Sequence, residues 1–413
     1  YNGGHLATGG GSHIVIGGAT VLDSPFLRRP DLLRSMLAFW QNHPSLSYLF
    51  SGMFVGPTSQ SPRVDEARME ALYELEVAFS NLPASDCPPS TVDGLFRNLL
   101  VDVTGNSHRA EFCVDKLYPP EGLGLRLGLL ELRAFEMAPH VRMGLIEMLL
   151  VRALLCRFWE RPFDGGLVRW GTALHDRFML PHFVRRDFSD VLSYLRKSDY
   201  RFEEKWFASH FEFRFPKIGS IAAEGVELEL RQALEPWNVL AEETTSGRTA
   251  RTVDSSFERI QMRLAGFTTD SRYLVVCNGR RVPLFPTGQV SSGEPEESVA
   301  GVRYRARQLS EMLHPTIPVH APLIFDIIDC WKERSIGRCV YHVGSPDGRP
   351  YAGRPANATE AAERRRQRFQ ESDPAPGPMA APEEETNPIF PMTLDLRFPP
   401  GQKTIIKKSG LVS

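Results

Sequence analysis

Thr8-Gly9-Gly10-Gly11-Ser12-His13-Ile14-Val15-Ile16-Gly17-Gly18 opens the chain with a glycine turn that runs straight into a short apolar stretch. Consecutive glycines leave the backbone free to adopt positive φ and let a ligand approach the main chain. The Ile14-Val15-Ile16 run reads as a buried strand, which puts the His13 imidazole at the strand's mouth. Backbone N–H groups on such a loop can cradle phosphate oxygens, and a ring nitrogen there can ligate a metal or move a proton. The plain alternative is a glycine turn with a hydrogen-bonded histidine. The stretch lacks the Gly-Lys-Ser/Thr ending of a phosphate loop and the spaced glycines of a dinucleotide fold.

A partner for this strand comes from Phe96 to Phe135. Three strand-like runs are expected there, Leu99 to Val103, Ala110 to Val114 and Leu129 to Phe135, with a turn, Thr104 to Arg109, between the first two. Side chains two apart on a strand share a face, so Glu131 and Arg133 project together while Leu130 and Leu132 face the other way. That face is either wet, with an ion pair worth little, or a site. Around it the spacing predicts helices over Asp31 to Trp40, Ala67 to Phe79, His140 to Trp159, Arg185 to Arg196 and Tyr200 to Phe213. Pro30 and Asp31 suit the first helix start, and Pro44 closes it at Asn42-His43.

From Gly225 the pattern shortens to β-rich runs divided by turns such as Asn278-Gly279 and Asp347-Gly348. The reading is α+β: an antiparallel sheet with packed helices over 1–215, a smaller all-β sandwich-like unit over 216–350, and a disordered tail over 351–413. Pro286 to Ala300 is expected to be a polar loop inside the β unit.

The 413 residues carry 48 Lys and Arg against 50 Asp and Glu, so no global basic field points to nucleic acid or an anionic membrane. No apolar run approaches the roughly 20 residues that span a bilayer, and a cytoplasmic location is expected. The six cysteines include no Cys-x-x-Cys pair, which argues against a zinc knuckle or a disulfide framework. Beginning on Tyr1, with its loop motif at once, the chain reads as a piece of a longer polypeptide.

Taken together, several stretches resemble the amidoligase domain family found in large bacterial transglutaminase-like proteins. They are Thr8 to Val21, Asp23 to Leu32, Asn42 to Tyr48, Gly56 to Phe79, Arg169 to Phe183, Cys277 to Leu284 and His314 to Leu323. The resemblance spans roughly Gly3 to Val343. It implies the carboxylate–amine ligase superfamily typified by glutamine synthetase, with ATP and Mg2+ (or Mn2+) as cofactors. In that light Gly9, Gly10, Gly11 and Ser12 are similar to the glycine-rich segment that presents a metal-binding histidine, here His13. Leu130-Glu131-Leu132-Arg133 is similar to a Glu-x-Arg strand in which the acid binds the ion and the arginine the substrate carboxylate. His140 stands where the superfamily has the start of a long helix and is a candidate substrate contact. Arg109 and Arg63 compete for the phosphate-facing role.

The resemblance implies an amide or peptide bond formed through an acyl phosphate on a peptide or amino-acid substrate. The remaining acidic ligands would come from an upstream, transglutaminase-like part of the same polypeptide, and the chain alone could then be inactive. Leu49, Phe50 and Met53 stand where the arginine and glutamate that hold glutamate would be, so glutamate itself is not implied. Two other functions stay open: a non-catalytic scaffold or peptide-binding module, and a cysteine transglutaminase or protease using Cys113 near His108.

Overall fold

The computed structural model describes residues 11–68, 70–83, 87–102, 104–117, 127–245, 248–267, 272–288, 296–309, 313–349, 351–385 and 387–400. It is a mixture of helices and antiparallel sheet, as the α+β reading requires. The glycine-led run is the strand β1 (Ile14–Ile16). It pairs with β3 (Leu130–Leu132), which also pairs with β2 (Phe112–Cys113), giving the order β1-β3-β2. Register sets Val15 and Cys113 on either side of Glu131. Directly opposed residues share a face, so these three stand in one row while Ile14, Phe112, Leu130 and Leu132 are buried in the helical core.

Helices supply that core. Asp31–Asn42 buries Leu33, Met36, Leu37, Phe39 and Trp40, an apolar stripe too wide for a surface helix. Trp40 meets Phe112 and Phe135 edge-on at 5.6 and 5.9 Å, clamping the helix to the back of the small sheet. Val141–Glu160 packs across it through Leu150, Val151, Leu154 and Phe158, with Phe158 edge-on to Phe39. Pro181–Arg196 and Ala208–Arg214 close the bundle around Phe50, which meets Phe188 at 5.9 Å.

The β-rich part is built from two sheets. One runs β11 (Phe285–Pro286), β12 (Glu296–Arg305), β8 (Phe257–Phe267), β5 (Val226–Gln232), β4 (Lys217–Ala223), with β16 (Thr393–Asp395) parallel to β12. The other runs β10 (Arg280–Arg281), β9 (Tyr273–Cys277), β13 (Leu323–Asp329), β14 (Arg334–Tyr341), β15 (Phe369–Ser372). Leu228, Leu230, Ile260, Met262 and Val302 from the first meet Val275, Leu323, Phe325 and Ile327 from the second in one core. A separate hairpin joins β6 (Val239–Thr245) to β7 (Arg248–Val253).

Three expectations fail on particular residues. Leu99 to Asp102 is not a strand: Asp102 accepts from Thr104 N, Thr104 Oγ1 and Asn106 N and folds the chain into a side-chain-capped turn. Val103 lies outside the described residues. The polar loop over Pro286 to Ala300 is shorter, because Glu296 already belongs to β12; 289–295 lie outside the described residues. Residues 351–400 are not structureless. They carry a helix, Ala358–Gln367, and the strands β15 and β16, one in each sheet. Tyr351 over Arg364 and buried Met392, Leu394 and Leu396 give that segment the apolar contacts its composition hides.

The last strand also ties the two parts together. Asp176, 2% exposed, accepts from Met392 N at 3.0 Å and Thr393 Oγ1 at 2.8 Å, and Arg259 Nη1 donates to His175 O.

Candidate functional site

β1 and β3 bring His13 and Glu131 together. His13 Nδ1 lies 2.8 Å from Glu131 Oε1, Arg133 Nη1 donates to the same oxygen at 3.1 Å, and Lys116 Nζ stands 3.1 Å from Oε2. A carboxylate only accepts, so His13 carries its proton on Nδ1 and keeps the Nε2 lone pair. The His13, Glu131 and Arg133 side chains are 21%, 6% and 10% exposed, while Lys116 is 41% exposed. Gly11 lies beside the free edge of the ring: a Cβ there would sit 2.5 Å from Nε2. Main-chain pairing holds this turn in place, Ser12 N donating to Phe135 O and Gly11 bridging to Glu136.

The electrostatics follow from those contacts. Burial, then the Arg133 charge, lower the His13 pKa against the pull of Glu131, so the ring is neutral at neutral pH. Burial would raise Glu131, but the Lys116 hydrogen bond, the Arg133 charge and the His13 hydrogen bond outweigh it and hold the carboxyl below its ordinary value. Two cations therefore face one carboxylate. Arg133 Nε is buried and has no hydrogen-bond partner among the described residues. An unpaired buried guanidinium N–H is costly and asks for an oxygen acceptor.

A divalent ion fits this donor set poorly. Both Glu131 oxygens already face N–H donors, and Lys116 and Arg133 would repel the ion. His13 and Glu131 thus meet as a hydrogen-bonded pair rather than around a shared gap.

Arg63, Arg109 and His140 are engaged with other partners. Arg63 is buried and spends its donors on Asp65, Trp40 O, Ser47 Oγ and Gln41 O. Arg109 Nε stands 3.4 Å from Asp102. His140 caps the helix that follows it, its Nδ1 accepting from Arg142 N. Gly9 and Gly10 lie outside the described residues. Cys113 Sγ is 3.9 Å from His108 Nδ1, but burial pushes its thiol up to about 11, which leaves almost no thiolate for attack at pH 7.

Sequence reasoning gave no role to Lys116, which sits in a charged turn with no periodicity to mark it. It also passed over a buried network beside the sheet. Glu66 Oε1 takes the Tyr48 hydroxyl at 2.5 Å and stands 2.6 Å from His175 Nε2. Burial raises Glu111 to about 8 despite nearby Arg63, and its Oε1 has no partner among the described residues. His175 also lines a cavity of about 360 Å3, with Glu235, Trp237, Asp254, Arg303 and Arg397 on its walls. Ser61 Oγ, donating to Arg133 O, links this region to β3.

Residues 1–397 match the model of the family described as "Putative amidoligase enzyme (DUF2126)". The chain belongs to that family. No curated protein and no solved structure matches it. Among the described residues no helix is long and apolar enough to cross a membrane.

Proposed function

We propose that this amidoligase-family chain joins a carboxylate to an amine at the expense of ATP, through an acyl phosphate, on a peptide or amino-acid derivative. A substrate carboxylate oxygen attacks the γ-phosphorus of ATP and ADP leaves; the amine nitrogen then attacks the acyl carbon and inorganic phosphate leaves. ATP would enter as a substrate with its own magnesium or manganese ion, not one held by His13 and Glu131. Arg133 and Lys116 would hold the carboxylate and then the acyl phosphate, a task suited to a guanidinium fork and an ammonium group. His13, neutral and oriented through Nδ1 by Glu131, would take the proton released by the attacking amine on Nε2.

The observation that carries this reading is the buried Arg133 Nε, without a hydrogen-bond partner among the described residues, beside a neutral His13. It supplies an acceptor-seeking cation next to a base with an open lone pair. Family membership supports the reaction class.

The test replaces the amine with hydroxylamine and offers pooled amino acids and short peptides with Mg-ATP. The expected result is a hydroxamate formed in step with ADP and phosphate, and lost in Arg133→Ala. If the chain gives neither hydroxamate nor carboxylate-stimulated ADP release, the ligase reading fails. A non-catalytic binding module would then gain. That second reading has its own support in the exposed row Val141, Leu145, Met148 and Leu149 along the helix Val141–Glu160.

A further inference from the structure

One strand away from Glu131, three side chains of different donor type converge. His108, Cys113 and Asp115 each present a ligand atom, and these atoms all lie within 4.8 Å of one another. Cys113 Sγ is 3.9 Å from His108 Nδ1, and the opposite ring nitrogen, Nε2, is 3.4 Å from Asp115 Oδ2; one of the two nitrogens would be the ligand. Zinc bonds of about 2.0 to 2.3 Å in a tetrahedral shell put neighbouring ligand atoms roughly 3.5 Å apart, so a small closing of the triad suffices. His108, with its side chain 61% exposed, is free to turn its ring into place.

The supports are already built. Cys113 is fixed on β2 by pairing with β3, and Asn106 caps the short turn that carries His108 by accepting from His108 N. Ser107 Oγ donates to Asp115 Oδ2 at 2.6 Å and orients that carboxylate. Arg97 is the competing cation, but it is committed to Asp93, with Nε at 2.9 Å, and reaches Asp115 only at 3.8 Å. The spacing His-x4-Cys-x-Asp falls outside the paired-cysteine patterns by which zinc sites are usually read, and the turn before β2 is what folds it together.

We propose that His108, Cys113 and Asp115 form a binding site for a borderline divalent ion of the zinc class, with a fourth position open to solvent. On binding, the thiol gives its proton to solvent as the sulfur–metal bond forms, and thiolate and carboxylate balance the two charges of the ion. The mixed sulfur, nitrogen and oxygen set selects against magnesium and calcium, which prefer oxygen. Cys113 pairs with Glu131 across the sheet, so this site adjoins the His13 group, but it shares none of that group's residues and does not depend on the ligase reading.

The test is titration of the whole chain, freed of metal with a chelator, with Co2+ as a spectroscopic stand-in for Zn2+. One equivalent should produce a sulfur-to-cobalt charge-transfer band and the intense visible bands of four-coordinate cobalt, both bleached by Zn2+. Cys113→Ser should abolish the charge-transfer band, His108→Ala should weaken binding by at least ~10-fold, and Cys339→Ser should change neither. A wild-type chain without the charge-transfer band, or a band that survives in Cys113→Ser, would overturn the proposal. If Cys113→Ser does not fold, the exposed His108 decides: equal cobalt affinity in His108→Ala overturns it too.

Discussion

His13 Nδ1 and Glu131 Oε1 are 2.8 Å apart although 118 residues separate them in the chain. The antiparallel register of β1 and β3 makes that distance, since Glu131 pairs with Val15 and so lies within reach of the residue just before the strand. The pair fixes the imidazole tautomer, and the loss of either member is expected to cost activity rather than fold. Glu131→Gln should lower the hydroxamate-forming rate by about 10- to 100-fold, the usual cost of losing an orienting carboxylate. A rate within twofold of wild type would show that the carboxylate does not orient a working base.

The pH dependence has a definite sign. His13 must be neutral to accept a proton, and burial with the Arg133 charge hold its pKa below the ordinary 6.5. Activity should therefore rise with pH along a limb below 6.5 and stay flat through neutrality. Glu131 pulls the His13 pKa upward, so in Glu131→Gln the residual activity should show that limb at still lower pH. Stability runs in the same direction. Both folded pKa values are depressed, so each contribution is present above the unfolded value and lost as pH falls through the folded one. A pH–rate profile with its acid limb above 6.5 would remove His13 as the base.

Gly11→Ala separates access to Nε2 from folding. The new Cβ would lie 2.5 Å from Nε2, too close for any real contact, so the ring must turn away or the loop must shift. Gly11 is exposed at the end of a bridge, and little core packing is at stake. The expected outcome is at least ~10-fold lower activity, of the kind small misplacements at an active site produce, with the thermal midpoint nearly unchanged. Full activity in this variant would mean that Nε2 is not used.

Much of the site was legible because two simple rules act on short stretches. Period-2 alternation placed Glu131 and Arg133 on one face, and the glycine run before Ile14-Val15-Ile16 marked the strand end that presents His13. Lys116 escaped because a turn residue has no periodicity. Arg63 misled because a charged residue in a polar stretch reads as exposed, whereas three main-chain and hydroxyl acceptors and Asp65 bury it. The segment 351–400 misled for the reverse reason: its Pro, Ala and Glu content reads as solvated, yet Leu394 and Leu396 dock it onto the sheet beside β12, whose Gly301 pairs with Thr393, while Met392 enters the helical core. Composition averages over a segment, while docking depends on where its few large side chains fall.

Glu111 offers a prediction about stability alone. Its carboxyl is buried, and burial raises its pKa to about 8 even with Arg63 close by. A folded pKa above the unfolded value makes a contribution that is complete below the unfolded pKa and is lost as pH rises through the folded one. The native chain should thus weaken from about pH 4.5 to about 8, as the unfolded carboxyl ionises and the buried Glu111 does not, and level off above that. Glu111→Gln keeps the size and removes the charge, so its urea midpoint should fall less than that of wild type over the same pH range. Parallel curves for the two proteins would mean that water or a rearranged Arg63 already stabilises the ionised carboxylate.

Asp176 tests how the last strand is held. Its two oxygens take Met392 N and Thr393 Oγ1, and both donors would be left without that acceptor in a buried place after Asp176→Ala. Each stranded donor costs about 1–3 kcal/mol, so a total loss of about 2–6 kcal/mol is expected where water cannot enter. Part of that loss should appear as local release, because the β16 pairing to β12 is short and Asp176 is its link to the helical part. Proteolysis near residues 387–400 should therefore accelerate in Asp176→Ala before global unfolding begins. Asp176→Asn, which keeps one acceptor oxygen, should show a smaller change in both readouts. Equal proteolysis in wild type and Asp176→Ala, together with an unchanged urea midpoint, would show that apolar contacts from Met392, Leu394 and Leu396 hold the strand without help.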